Sequence, residues 1–294
     1  MKIIVRQKSK YKRYKKKNFH NLINHSLILL NKEKGISSRN FTRFLLDLGF
    51  KKAGHAGTLD PNTTGVLPIF LNRGNKISSI LSLSKKEYVA TMYVHKDFNK
   101  SIIKSTFKSF TGEINQLVPK VSAVKRQVRK RTIYSINLIS IKNRIVKFKV
   151  LCQAGTYIRK LIHDMGEFME TGAHMIELER TKSGPFKLNE CISKDEFIKL
   201  FNKKDSSCFY SLEDAVKDMN KVWIDDGAII PWSKGSPIYF KGILKFTSEI
   251  KIDSKLAVFN TSNELIGIGI SKSNSDNFKK KEEGIAFRNY INLI

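Results

Sequence analysis

Residues 144–172 read RIVKFKVLCQAGTYIRKLIHDMGEFMETG, and the hydrophobic period changes partway along. Val146, Phe148, Val150 and Cys152 fall on one face of an alternating strand. Ile158, Leu161, Ile162, Met165, Phe168 and Met169 then recur at helical spacing. A strand that runs straight into an amphipathic helix needs a sheet with the helix laid on it, so this segment points to an α+β domain. The flanking sequence extends the pattern. SLILLNKEKG predicts a buried strand turning at Gly35, and Ser37 or Ser38 can cap a helix over RNFTRFLLDLG that stops at Gly49. VLPIFL (66–71), KEYVATMYVH (86–95) and TIYSINLISI (132–141) predict further strands, and residues 101–112 a helix ending at Gly112. SKDEFIKLF and SLEDAVKDM return to helical pattern, with Ser211 and Asp214 as a capping pair. After about residue 220, short β-branched runs alternate with glycine and proline turns, as in a small all-β barrel.

The organisation expected is a basic arm over residues 1–20, a mixed, largely antiparallel-sheet domain over 21–219 ending in a helical linker, and a β domain over 220–294. Charge narrows the partner. The 294 residues carry 54 Lys+Arg against 26 Asp+Glu, a formal +28. An excess of that size suits a polyanion, because each neutralised phosphate releases a counterion. Nucleic acid is the first candidate, and no apolar run is long enough to span a bilayer. Three cysteines without a CxxC argue for a reducing compartment and against a disulfide framework or a zinc site. The six histidines lack metal-ligand spacing, and there is no Walker loop, dinucleotide fingerprint or GxSxG elbow. No cofactor or metal is expected.

Chemistry must then come from ordinary side chains. Asp60, in GHAGTLDPNTTGVLP, is bracketed by Gly54, Gly57 and Gly65 and followed by Pro61, so its carboxylate would project from a constrained loop. It can be the reactive group or can simply close a turn. Arg159, near a helix start where the dipole disfavours it, can orient and ionise such a carboxylate or contact a phosphate. Tyr88 can stack on an extruded base or serve as a core strand residue. Lys120, Lys125, Arg126, Arg129, Lys130 and Arg131 form a basic run that favours an RNA-backbone surface.

These stretches resemble a known family. GHAGTLDPNTTGVLP is similar to the motif around the catalytic aspartate of the TruB family of pseudouridine synthases. KEKGISS, KEYVATM, AGTYIRKLIHDMG and GAHMIELERTKSGPF resemble its other motifs in the same order, across residues 30–187. The last 75 or so residues resemble the PUA module, an RNA-binding barrel. SAVKRQVRKRTIY and the compact KEYVATMYVHKD resemble the archaeal and eukaryotic, dyskerin-like branch, the catalytic subunit of H/ACA ribonucleoproteins.

The resemblance implies Asp60 as nucleophile, Tyr88 as the base-stacking tyrosine, Arg159 as the partner of Asp60, and Leu178 as the apolar wall of the uracil pocket. His55 would help hold the target loop, Tyr157 would pack beneath the site, and Lys32 and Lys125 would contact substrate. Glu33 stands where the family usually has proline, and Glu179 where it often has arginine. The implied activity is isomerisation of uridine to pseudouridine in rRNA and tRNA, inside an H/ACA particle with guide RNA and small partner proteins. A standalone tRNA pseudouridine-55 synthase of the T-arm and a non-catalytic RNA-binding assembly factor are the alternatives. The site of action would be intracellular, cytoplasmic in an archaeal host and nuclear or nucleolar in a eukaryotic one.

Overall fold

The strand-to-helix segment folds as its periodicity dictates. In the computed structural model, which describes residues 1–7, 18–118 and 127–294, Ile145–Cys152 is a strand and Ile158–Phe168 a helix. Val146, Phe148, Val150 and Cys152 are buried against Ile158, Leu161, Ile162 and Met165. Each apolar side chain removed from water in this way contributes roughly 1.5–3 kcal/mol. Phe168 departs from the expected stripe. It lies at the helix end, is exposed, and packs edge-on against Phe110 at 5.8 Å, while the helix-capping Met169 enters the core instead.

The chain divides into two units. The larger comprises Ile28–Phe70 and Ser78–Cys208. Its sheet runs in the order Ser26–Lys32, Thr63–Leu71, Ala173–Ser183, Lys86–Val94, Ile145–Cys152, Val128–Lys142 and Gly112–Leu117. Thr63–Leu71 meets Ala173–Ser183 in parallel, and every pairing beyond that is antiparallel. One face is covered by Ile158–Phe168 and by Lys100–Ser109, which contributes Ile103 and Phe107 to the same core. Gly112 does not end that helix. The helix closes at Ser109, and Gly112, at φ 111°, opens a strand instead. Ser37 caps the helix Ser38–Thr42, and Gly49 takes φ 90° where the next short helix stops.

The smaller unit comprises Met1–Leu27, Leu71–Ile77 and Phe209–Ile294. Among the described residues its main sheet has seven strands, ordered Ile3–Val5, Ile243–Thr247, Asn220–Ile224, Lys255–Phe259, Leu265–Ser271, Ile285–Asn292 and Ile238–Tyr239. Its core holds Val222, Trp232, Phe240, Phe246, Val258, Phe278 and Phe287. The start of the expected basic arm is an ordered part of this unit. Ile3–Val5 pairs antiparallel with Lys245–Thr247, and Arg6 donates to the Phe278 carbonyl at 2.6 Å and to Glu282 at 2.9 Å. β-Branched Ile3, Ile4 and Val5 suit a strand. The most basic part of the arm, residues 8–17, lies outside the described residues. SLEDAVKDM is helical only over Leu212–Ala215, with Ser211 and Asp214 forming the expected capping box. No helix among the described residues is long and apolar enough to cross a membrane.

Candidate active site

Asp60 sits on the loop between two paired strands, Ala53–His55 and Thr63–Leu71. Side chains from elsewhere in the larger unit hold the backbone of this loop. The Ser38 hydroxyl accepts from the Leu59 N–H and donates to the Leu59 carbonyl, both at 2.8 Å. Lys32 Nζ donates to the carbonyls of Pro61 (3.1 Å), Thr63 (2.9 Å) and Glu33 (2.7 Å). Arg180 Nε donates to the Val66 carbonyl at 2.8 Å, and its Nη2 to the Gly57 carbonyl at 3.0 Å. A buried carbonyl needs a donor, and a loop offers no ladder to supply one, so these side chains take that place. Gly57 and Gly65, at φ 105° and 106°, allow the loop its path. A Cβ at Gly65 would lie 2.3 Å from the Arg180 carbonyl oxygen.

The Asp60 side chain stays 55% exposed and is ion-paired with Arg159 Nη2. Arg159 is the second residue of the helix Ile158–Phe168, whose N-cap, Tyr157, offers no side-chain cap. Buried Gln116 clamps that N-cap. Its Oε1 accepts the Tyr157 N–H at 3.0 Å and its Nε2 donates to the Tyr157 carbonyl at 3.1 Å. Arg131 secures the preceding turn by donating to the Gly155 carbonyl at 3.0 Å. The unfavourable dipole position of Arg159 is offset by the carboxylate opposite.

Tyr88, half-buried on the Lys86–Val94 strand, is the cross-strand neighbour of Arg180 on one side and Val150 on the other. Its hydroxyl is pushed up by burial, against the opposing effect of the nearby Arg180 guanidinium. The phenol is therefore protonated at neutral pH. Leu178 is buried in register with Thr63 and Ala90. It borders a cleft of about 220 Å³ lined also by Asn62, Thr64, Val89, Thr91 and Glu179. His55 is half-buried. Burial, reinforced by Arg180, lowers its pKa, and its Nδ1 meets no hydrogen-bond partner among the described residues.

Two expectations change. Lys32 is fully buried with its ammonium on three carbonyls, so it braces the Asp60 loop and is not free to contact substrate. The basic run is partly consumed internally, since Lys130 pairs with Glu113 at 2.8 Å on the neighbouring strand. Lys125 lies outside the described residues, as do Lys120 and Arg126. Glu179, which stands where the resemblance implies arginine, lines the cleft, while Arg180 one residue on is buried in the core.

Three groups escaped the sequence. Gln116 gave no signal, Arg180 is one charge among several in ELERTK, and Lys86 only opens the strand pattern KEYVATMYVH. Lys86 is in fact buried, its Nζ donating to the carbonyls of Leu81 (3.0 Å), Ser82 (3.3 Å) and Ser84 (2.9 Å). Burial, with a further push from Arg180, brings its ammonium down to about 7.

Comparison with known proteins matches residues 45–158 to the TruB family pseudouridylate synthase N-terminal domain, 159–222 to the tRNA pseudouridylate synthase B C-terminal domain, and 220–289 to the PUA domain. A probable tRNA pseudouridine synthase B of Nanoarchaeum equitans is 38% identical over 90% of this chain and 78% of its own length. One from Pyrococcus abyssi is 36% identical over 90% of this chain and 82% of its own. Among solved structures, a Cbf5-Nop10-Gar1 complex contains a chain that superposes with TM-score 0.92 at 33% identity, covering 100% of this chain and 94% of that one. An H/ACA RNP bound to a substrate RNA containing 2′-deoxyuridine matches at TM-score 0.91 and 31% identity, again over 100% of this chain and 94% of the other. With its family domains in order and its relatives aligned over about four fifths of their length, the chain belongs to the TruB family and is a pseudouridine synthase, an isomerase that acts on RNA.

Proposed function

We propose that Asp60 is the reactive carboxylate of this enzyme, that Arg159 keeps it ionised and aimed, that Tyr88 stacks on the target uracil, and that Leu178 lines the pocket. The observation that carries this assignment is the Asp60–Arg159 ion pair, presented outward on a loop whose backbone is tied down from beneath. A carboxylate on a mobile surface loop would have no fixed approach to a ribose. Here the loop is held and the acid is left accessible.

Isomerisation breaks the C1′–N1 bond, turns the uracil and joins C1′ to C5. N1 gains a proton and C5 loses one, so atoms and electrons balance without an added reagent. The base must first leave its stack, which costs a few kcal/mol. Stacking on Tyr88, worth roughly 1–3 kcal/mol, offsets that cost. Ionised Asp60 can add to C1′, or can stabilise positive charge on the ribose and take a proton from it. RNA is held by the +28 charge, with Lys125 among the contacts and His55 and Tyr157 supporting the loop and helix that flank the site. The PUA unit grips an RNA end.

We further infer that the chain works inside the cell as the catalytic subunit of an H/ACA particle, with guide RNA and small partner proteins. This is supported by its likeness to chains of a Cbf5-Nop10-Gar1 complex and of an H/ACA RNP. A second reading, unaided action on tRNA, is supported by relatives described as probable tRNA pseudouridine synthase B. Tritium release from 5-tritiated uridine in tRNA separates them. Asp60-dependent release by the purified protein alone supports unaided tRNA action. Release only after guide RNA and partner proteins are added supports the particle. Undiminished release by Asp60→Ala overturns the site assignment.

A further inference from the structure

The segment from Lys32 to Arg43 runs past the Asp60 turn and divides its side chains by depth. Lys32 and Ser38 are buried and bind the backbone of the turn. Lys34, Arg39 and Arg43 are exposed. Backbone contacts fix where two of these cations stand. The Gly35 N–H donates to the Pro61 carbonyl at 2.9 Å, so Lys34 lies beside the residue that follows Asp60. Ser38 is bonded to both backbone groups of Leu59 at 2.8 Å, so Arg39 lies beside the residue that precedes it. Two Cα steps of about 3.8 Å and one hydrogen-bonded contact put each cation's Cα within roughly 15 Å of that of Asp60. The exposed carboxylate thus has one cation towards Pro61 and another towards Leu59.

Folding supplies no reason for these charges. None of the three side chains ion-pairs with a carboxylate among the described residues, although Glu33 and Asp47 are exposed on the same stretch of chain. Arg39 and Arg43 are four residues apart, on the helix Ser38–Thr42 and its C-cap, which bury Ser38, Phe41 and Thr42 instead. Like charges at that spacing, with Cβ atoms about 5–6 Å apart, repel and weaken a helix. An anion lying across them relieves the repulsion. The spacing is also close to that of successive phosphates along an RNA strand, and an arginine fork meets a phosphate through two parallel donors.

We propose that Lys34, Arg39 and Arg43 are a phosphate-binding edge for the substrate strand: Lys34 and Arg39 hold the phosphates on either side of the target uridine, and Arg43 holds the next one along. With both flanking phosphates fixed, the backbone stays anchored while the base between them turns out of its stack. This rests on Asp60 as the reactive carboxylate and adds how the strand is seated over it.

The test uses the full-length protein under whichever conditions give Asp60-dependent tritium release. Affinity is measured across a salt series for Lys34→Gln, Arg39→Gln, Arg43→Gln and the triple variant. Exposed Lys100, Lys104 and Lys108, on the helix Lys100–Ser109, are changed together to Gln as a charge-matched control. The probes are a synthetic RNA carrying the target uridine and the same RNA with neutral methylphosphonates at the two flanking phosphates. Each phosphate contact contributes about 0.7–0.9 to the slope of log affinity against log salt. The triple variant should lower that slope by roughly 2–3 and lose on the order of 100-fold in affinity at about 0.1 M salt, and each single variant about fivefold. The control should show less than about a third of the triple variant's slope change. The RNA concentration for half-maximal single-turnover rate should rise far more than the maximal rate falls. Methylphosphonates should cost the wild type roughly 25-fold in affinity and the triple variant no more than about threefold, because the contacts they remove are already gone.

An unchanged salt slope in the triple variant overturns the proposal. So does a control that matches the triple variant, or a methylphosphonate penalty equal in the triple variant and the wild type. If the triple variant does not fold, the single variants decide by the same measures. Asp60→Ala keeps the two levels apart. If it is inactive while the triple variant binds as the wild type does, only the phosphate edge fails; if it remains active, the site assignment fails first.

Discussion

The rim and the floor of the site use charge in opposite ways. At the rim, Asp60 and Arg159 pair with side chains 55% and 60% exposed. Exposed pairs are screened and contribute at most about 1 kcal/mol to stability. At the floor, Lys32, Lys86 and Arg180 are each less than 5% exposed, and their described partners are mostly backbone carbonyls. Breaking a buried arrangement of this kind costs several kcal/mol because polar groups are left without partners. The difference teaches that the reactive pair is not held in place by its own attraction. The floor determines where the loop lies, and the rim stays weakly bound and open to a ligand.

This contrast predicts opposite outcomes for substitutions in the two layers. The largest effect should come from Asp60→Ala, with turnover by tritium release falling roughly 10⁴-fold or more while filter-binding affinity for RNA changes little. Next is Lys32→Met, which leaves the Pro61, Thr63 and Glu33 carbonyls without their donor. At about 1 kcal/mol or more each, it should lose roughly 3 kcal/mol in denaturant unfolding. A loss under about 0.5 kcal/mol would erase the difference between floor and rim. Arg159→Ala should slow single-turnover release on the order of 100-fold, about 2.7 kcal/mol of transition-state stabilisation.

The floor should also show in pH dependence. An unfolded lysine titrates near 10.5, whereas burial brings Lys86 to about 7. Between those values the unfolded chain holds the extra proton, so this group makes stability rise with pH, and below pH 7 its slope disappears. Lys86→Met should therefore flatten stability against pH between about 8 and 10 by up to ~1.4 kcal/mol per pH unit. An unchanged slope would mean that Lys86 remains charged in the folded protein. The smallest effect belongs to the rim. Asp60→Ala and Arg159→Ala should each shift unfolding free energy by less than about 1 kcal/mol, and a larger loss would show that the pair helps hold the loop.

Local pattern carried much of the fold. The alternation of Val146, Phe148, Val150 and Cys152 and the helical spacing from Ile158 to Met165 correspond to the faces that are buried. Positive φ at Gly57 and Gly65 follows the bracket around Asp60 that the sequence displays. Local pattern misjudged residues whose surroundings come from distant segments. Phe168 belongs to the stripe by spacing yet lies outside the core, because the helix ends there. Ile3–Val5 opens a basic segment yet forms an edge strand, because Lys245–Thr247 supplies the ladder.

The sequence by itself determined most of the elements and the glycine bracket around Asp60. These depend on neighbours within a few residues, where periodicity and backbone preference act. Only the tertiary structure decided which cations are surface and which are floor. Lys32 reaches Pro61, 29 positions away, and Arg180 reaches Gly57, 123 positions away. A lysine or arginine in a strand is exposed by default, and Lys32 and Arg180 are held inside by carbonyls that only the fold brings within their reach.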